Sequence, residues 1–213
     1  MSVQTKICGI STPEALHAAI EGGAGWVGFV FFPRSPRHLT VETAGRLAAQ
    51  ARGRVKIVAL AVDPSDALVD EIASGLRPDL FQLHGGETPA RVREIGQRAG
   101  AGLIKALPVA EAADVDAAGP YEGLVDHLLF DAKPSADATR PGGVGVRFDW
   151  SVMAGRRFAR PWFLAGGLDP WNLTEAVEQS GAPLLDVSSG VERGPGLKDP
   201  ALIAAFLDAA RRV

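Results

Sequence analysis

The chain has 213 residues, 46% of them hydrophobic and 22% charged, with a formal net charge of −3. That length suffices for one domain (residues 1–213) with a sizeable core, and the charge balance leaves no electrostatic footprint for nucleic acid. A single cysteine excludes an intramolecular disulfide and suits a reducing compartment, and no apolar run approaches the ~20 residues of a membrane span. The N-terminus enters a strand-like run almost at once, so no signal peptide is expected. The expectation is a cytoplasmic protein with no nucleic-acid or membrane partner, and a monomer rather than a homodimer.

Short β-rich apolar runs recur along the chain. In order they occupy residues 3–8, 25–31, 55–62, 79–83, 102–107, 124–131, 161–165 and 183–187. Helix-like segments separate most of them, which predicts parallel βαβ units. Thr12-Pro13, Asp63-Pro64, Thr88-Pro89, Asp169-Pro170 and Asp199-Pro200 each place a capping oxygen before a proline, a helix-start signature. Eight units in about 210 residues predict a compact, single-domain α/β (β/α)8 TIM barrel. An open doubly wound sheet is weakened by the lack of Gly-x-Gly-x-x-Gly after the first strand. The longest irregular segment is 132–146, rich in Pro, Gly, Ser and Ala; a loop of that length is usually functional or mobile.

In such a barrel, chemistry gathers where the strands end. Cys8, the loop 32–37, Asp63, His84, Lys105, Asp131, Gly166-Gly167 and Ser188-Ser189-Gly190 stand at those exits. Taken alone, Cys8 reads as a small buried hydrophobe. The loops at Gly166-Gly167 and Ser189-Gly190 are read together, because glycines let backbone approach a ligand and aim several N–H groups one way. They predict a phosphate site after the seventh and eighth strands, hence a phosphorylated small-molecule substrate. Asp131 ends an apolar strand and reads equally as an acid or as a salt-bridge partner of Lys133. Arg37 lies in a loop stiffened by Pro33 and Pro36; taken alone it reads as a surface arginine, but a fixed guanidinium there suits a two-point grip on a carboxylate, with Arg34 competing for that role. His84, taken alone, reads as a hydrogen-bonded structural histidine, and no second His, Cys or Glu sits at metal spacing with it, so no metal is expected. Strand parity puts Lys6 on the same face as Cys8, about 7 Å away, and predicts an ammonium that lowers the thiol pKa.

Lys6-Ile7-Cys8-Gly9-Ile10, Gly28-Phe29 through Ser35-Pro36-Arg37, Gln82-Leu83-His84-Gly85, Leu129-Phe130-Asp131, Ala165-Gly166-Gly167-Leu168 with Pro170 and Asn172, and Asp186-Val187-Ser188-Ser189-Gly190-Val191-Glu192 occur in that order. Gly194, Gly196, Lys198 and Asp199 follow. This series resembles phosphoribosylanthranilate isomerase of tryptophan biosynthesis, over nearly the whole chain. The resemblance implies an Amadori rearrangement of N-(5-phosphoribosyl)anthranilate to 1-(2-carboxyphenylamino)-1-deoxyribulose 5-phosphate, without metal or organic cofactor. It implies Asp131 as general acid and Cys8 as general base. Arg37 would hold the anthranilate carboxylate; the backbone at Gly166, Gly167, Ser189 and Gly190 would hold the phosphate, with His84 also at the substrate. Asp63, Ala15-Leu16 and Gly86 depart from the family pattern, and none touches the implied acid or base.

The nearest alternative is another phosphosugar isomerase on the same barrel, such as that of histidine biosynthesis, which resembles a carboxylate pair rather than a thiol at the first strand. Indole-glycerol-phosphate synthase would need a catalytic lysine early in the barrel. A non-catalytic phosphate-ligand barrel would have no need of Cys8, Asp131 and Arg37 together, and a redox-sensing cysteine has no resolving partner.

Overall fold

The computed structural model describes residues 3–133, 142, 145 and 147–213. Eight parallel strands close into a barrel in sequence order, with β8 returning to pair with β1. They are β1 (Gln4–Cys8), β2 (Trp26–Phe31), β3 (Lys56–Ala61), β4 (Leu80–Leu83), β5 (Gly102–Val109), β6 (His127–Ala132), β7 (Trp162–Leu164) and β8 (Leu184–Val187). Each falls on one of the eight apolar runs of the sequence. The predicted (β/α)8 barrel is therefore the observed fold.

Helices α1 (Pro13–Glu21), α2 (Val41–Ala51), α3 (Asp66–Gly75) and α4 (Pro89–Ala99) follow the first four strands. A single-turn α5 (Ala112–Val115) with a 3-10 turn follows β5, and α6 (Leu173–Ser180) and α7 (Pro200–Ala210) follow β7 and β8. Among the described residues the β6–β7 connection holds only a 3-10 turn, Trp150–Met153.

Three of the five expected proline-linked caps form. Thr12, Thr88 and Asp199 accept backbone N–H groups of the first turns of α1, α4 and α7. Two do not. Asp63 has φ +44° and belongs to a turn, while Ser65 caps α3. Asp169 Oδ1 accepts from Trp171 N at 2.8 Å and Asn172 N at 2.9 Å, and α6 starts only at Leu173. Asp169 satisfies N–H groups two and three residues on in a local turn, whereas Asp63 takes the left-handed backbone that aspartate tolerates and its carboxylate accepts from the distant Gly86 N at 2.8 Å.

Parity separates two packing layers. Outward residues such as Ile7, Val27, Phe29, Ile57 and Phe81 meet the helices in the main core. Inward residues stack along the barrel axis. Trp26, Val58, Leu80, Ile104, Leu129, Phe163 and Leu184 form an apolar floor; Cys8, Val30 and Leu60 form an apolar ring above. Lys6, paired with Asp186, and Gln82 are buried inside the same barrel. Gly28 leaves room for this layer, because a Cβ there would come within 3.0 Å of Cys8 Sγ and 3.5 Å of Lys6 Cε.

Candidate active site

A cleft opens at the C-terminal mouth of the barrel. Cys8 from β1 and Asp131 from β6 both line it, with Arg37, His84, Asp186 and Ser188 around them. Val30, Phe32, Leu60 and Val62 supply an apolar wall. A second cleft adjoins it and shares Asp131, Asp186 and Ser188; Gly166, Gly167 and Ser189 line this second space. The residues assigned to catalysis or substrate binding converge on one place, with one exception, whereas Asp63, Lys105 and Arg34 line neither cleft. The exception is Gly190, which also lines neither. Its backbone lies so close to the Leu168 carbonyl that a Cβ would collide with it, so its glycine serves the packing of one loop on the other.

Cys8 is buried and its backbone carbonyl accepts a 3.1 Å bond from Ser188 Oγ. Burial pushes the thiol above its ordinary value of 9.0; Lys6 pulls it down, Asp186 pushes it up, and Lys198 pulls it down. The expected influence of Lys6 is thus present in sign but outweighed. Two facts invisible in strand parity account for this: the thiol is desolvated, and Lys6 Nζ is spent on Asp186 Oδ1 at 2.9 Å. Lys6 itself is pushed down by burial, but Asp186 and Cys8 raise it further, so it remains cationic.

Asp131 Oδ1 accepts from Ala132 N at 2.9 Å, and its Oδ2 lies 3.3 Å from His84 Nε2. Lys133, its alternative partner, pairs instead with Asp114 at 3.2 Å. The Gln82 side-chain nitrogen is 3.0 Å from His84 Nδ1; with that amide donating, His84 presents its Nε2–H to the carboxylate. Gly142 packs on this pair, since a Cβ there would come within 2.6 Å of Asp131 Oδ2 and 2.7 Å of His84 Nε2. The remainder of the 132–146 loop lies outside the described residues, apart from Ala132, Lys133 and Gly145.

Between the competing arginines the structure is clear. Arg34 is exposed, whereas Arg37 is buried and lines the cleft. Arg37 Nε and Nη2 donate to Glu192 Oε1 and Oε2 at 2.7 and 2.8 Å. Glu192 also accepts from Lys198 Nζ at 2.7 Å. Burial draws Lys198 down to about 8, against the opposing pull of Glu192. Glu192, Lys198 and Asp186 were legible as motif members but carried no assigned role.

The phosphate-type loops are built from strained backbone. Gly166 and Gly167 have φ of +85° and +67°, and a Cβ on Gly166 would come within 2.7 Å of Ala132 N. Only glycine accommodates both demands. Asn172 Nδ2 donates to Gly167 O at 2.9 Å and holds the loop. Ser189–Val191 form a 3-10 turn directly after β8. Among the described residues no group of three His, Cys, Asp or Glu side chains is placed to hold a metal, and no helix is long and apolar enough to cross a membrane.

A closed parallel barrel with a thiol, a carboxylate and a guanidinium at its C-terminal mouth defines a (β/α)8-barrel enzyme. Residues 5–209 match the family model for N-(5'-phosphoribosyl)anthranilate isomerase. The chain is 64% identical over 212 residues to the isomerase of that name from Caulobacter sp. (strain K31), covering 99% of this chain and all of the relative. It is 53% identical to that from Rhodospirillum centenum, covering 99% of both. The Thermotoga maritima phosphoribosylanthranilate isomerase structure superposes with a TM-score of 0.88 at 34% identity, covering 99% of this chain and all of that one. A further solved isomerase, 33% identical with a TM-score of 0.85, is a complex with reduced 1-(o-carboxyphenylamino)-1-deoxyribulose 5-phosphate. The chain belongs to the N-(5'-phosphoribosyl)anthranilate isomerase family.

Proposed function

We propose that this barrel performs the family's Amadori rearrangement in tryptophan biosynthesis, with Asp131 as general acid and Cys8 as general base. The observation that carries the reading is the placement of both groups, from strands β1 and β6, in one cleft that adjoins the Gly166-Gly167 cradle. The Asp131 carboxyl gives a proton to the furanose ring oxygen as the anilino nitrogen lone pair expels it, which opens the ring to an iminium. The iminium acidifies the C2 hydrogen. Cys8, in its thiolate form, takes that proton, and the C–H electron pair flows toward C1 and nitrogen to give an enolamine. Because burial raises the thiol pKa, the reactive form is a minor fraction that grows with pH. Ketonisation then takes up a proton at C1 and releases one from O2, which restores both groups. Each positioned transfer contributes ~10²–10⁴-fold.

Arg37 grips the anthranilate carboxylate, and the Val30, Phe32, Leu60 and Val62 wall faces the aromatic ring. N–H groups around Gly166, Gly167 and Ser189 hold the phosphate; Gly190 supports that cradle by letting the two loops touch. His84 orients Asp131 as well as bordering the substrate. The whole proposed machinery comes from one chain, so a monomer is a sufficient unit of activity; a solved Thermotoga maritima relative is described as monomers generated from a dimeric isomerase. Sedimentation at assay concentration checks this. Anthranilate compounds fluoresce, so wild-type turnover of phosphoribosylanthranilate is followed directly, with the ketose product identified by NMR. Formation of 1-(2-carboxyphenylamino)-1-deoxyribulose 5-phosphate is expected; no turnover overturns the reading.

A further inference from the structure

Arg37 is pinned from several directions. Glu192 forks onto Nε and Nη2, a bidentate arrangement that fixes the plane of the guanidinium as well as its position. The stem is pinned too. Gly9, with φ +80°, lies where a Cβ would collide with Arg37 Cδ and approach Cγ to 3.3 Å. The fork is itself anchored: Glu192 Oε2 accepts from Gly196 N at 3.1 Å, and Lys198 Nζ, which binds Glu192 Oε1, also donates to Ser188 O at 2.8 Å. Glu192 and Lys198 are the ends of a small hairpin, β9 (Glu192–Gly194) with β10 (Leu197–Lys198). Gly196, at φ +80°, seats that hairpin on Pro36, where a Cβ would meet the Pro36 carbonyl at 2.5 Å.

The charges matter as much as the geometry. Arg37, Glu192 and Lys198 have side chains 4%, 3% and 0% exposed. Glu192 is thus shared by two buried cations beside the cleft and fixes both at once. An arginine fixed before binding also loses less side-chain freedom when a ligand arrives.

We propose that Glu192 is a positioning residue that sets specificity: by fixing Arg37, it makes the cleft select a substrate whose aromatic ring carries a carboxylate over the same substrate without one. This deepens the proposed function and rests on Arg37 as the carboxylate grip. Glu192 touches no reacting atom and acts through Arg37.

The test compares kcat and KM on phosphoribosylanthranilate and on N-(5-phosphoribosyl)aniline, which lacks the carboxylate. The proteins are wild type, Glu192→Gln, Glu192→Asp and Arg37→Met, each checked for fold by circular dichroism. Glu192→Asp keeps the charge facing Lys198 and is the variant most able to fold, but its shorter side chain cannot hold the same fork. Both Glu192 variants are expected to raise KM for the anthranilate about tenfold, the size of one misplaced charge-assisted bond, with kcat changed far less. On the aniline their KM stays close to wild type. Equal losses on both substrates, or an unchanged KM for the anthranilate, overturn the role of Glu192. If Arg37→Met leaves the anthranilate KM unchanged, the carboxylate role of Arg37 itself falls, and the proposal with it.

Discussion

Two buried lysine–carboxylate pairs stand on opposite faces of the barrel wall and do different things: Lys105 shares the outward parity of Leu103 and Leu107, whereas Lys6 faces the interior. Lys105 Nζ reaches Glu87 Oε2 at 2.6 Å and Gly85 O at 2.7 Å. Glu87 Oε1 in turn accepts from Asp63 N at 2.9 Å and Gly85 N at 3.1 Å, and Asp63 Oδ1 accepts from Gly86 N at 2.8 Å. Nearly every partner is backbone. The pair knots the exits of β3, β4 and β5, and neither residue lines a cleft. Lys6 and Asp186 pair within the barrel, where Asp186 lines both clefts, and both charges act on the Cys8 thiol. A buried charge pair signals chemistry here only where it borders open space and a titratable neighbour. Elsewhere the same pair is a fastening.

The contrast predicts that the fastening fails as structure while the cleft fails as chemistry. Glu87→Gln leaves the Lys105 ammonium buried without its counter-charge. Removing one partner of such a pair costs roughly 3–5 kcal/mol, so urea unfolding should show a loss of that size, with kcat near wild type under conditions where the variant is folded. A fallen kcat with an unchanged unfolding midpoint would break the comparison.

Gly190→Ala tests the packing role assigned to that loop. The added methyl has no space against the Leu168 carbonyl, and overpacking of this kind costs about 1–3 kcal/mol. Since the strain falls on both phosphate-type loops, KM should rise about tenfold while the pH dependence of kcat stays the same. An unaltered KM would show that the two loops part without consequence.

The smallest effect concerns the thiol. Because its pKa is raised above 9.0, thiolate is scarce at neutral pH, and the rate of alkylation by iodoacetamide should climb with pH without levelling below that value. Lys6 is the strongest opposing pull, so Lys6→Met should carry the apparent pKa still higher. An apparent pKa near neutrality in wild type, or no change in Lys6→Met, contradicts the account.

The barrel was legible because its strands are short apolar runs and because three Thr-Pro or Asp-Pro pairs cap helices as expected. Asp63 and Asp169 misled for a physical reason: the same residue type serves turns. Cys8, Asp131 and Arg37 were legible by their positions at strand exits, together with the family resemblance. What the sequence concealed is burial of charge. Glu192 and Lys198 look like surface residues in a polar stretch, and only the fold of the hairpin over Arg37 places them inside. Proximity of Lys6 to Cys8 could be counted along a strand; the desolvation that reverses its net effect depends on every element around the thiol.

The most direct test of the central claim is kcat for Cys8→Ala and Asp131→Asn on phosphoribosylanthranilate, measured beside their thermal midpoints. Cys8 faces the Lys6 ammonium, which keeps Asp186 as its counter-charge without the thiol, and the Asp131 carboxylate touches the His84 ring and the Ala132 N–H. Both variants should therefore melt close to wild type, while kcat falls by ~10²–10⁴-fold in each. Wild-type turnover in either folded variant would remove that residue from the chemistry.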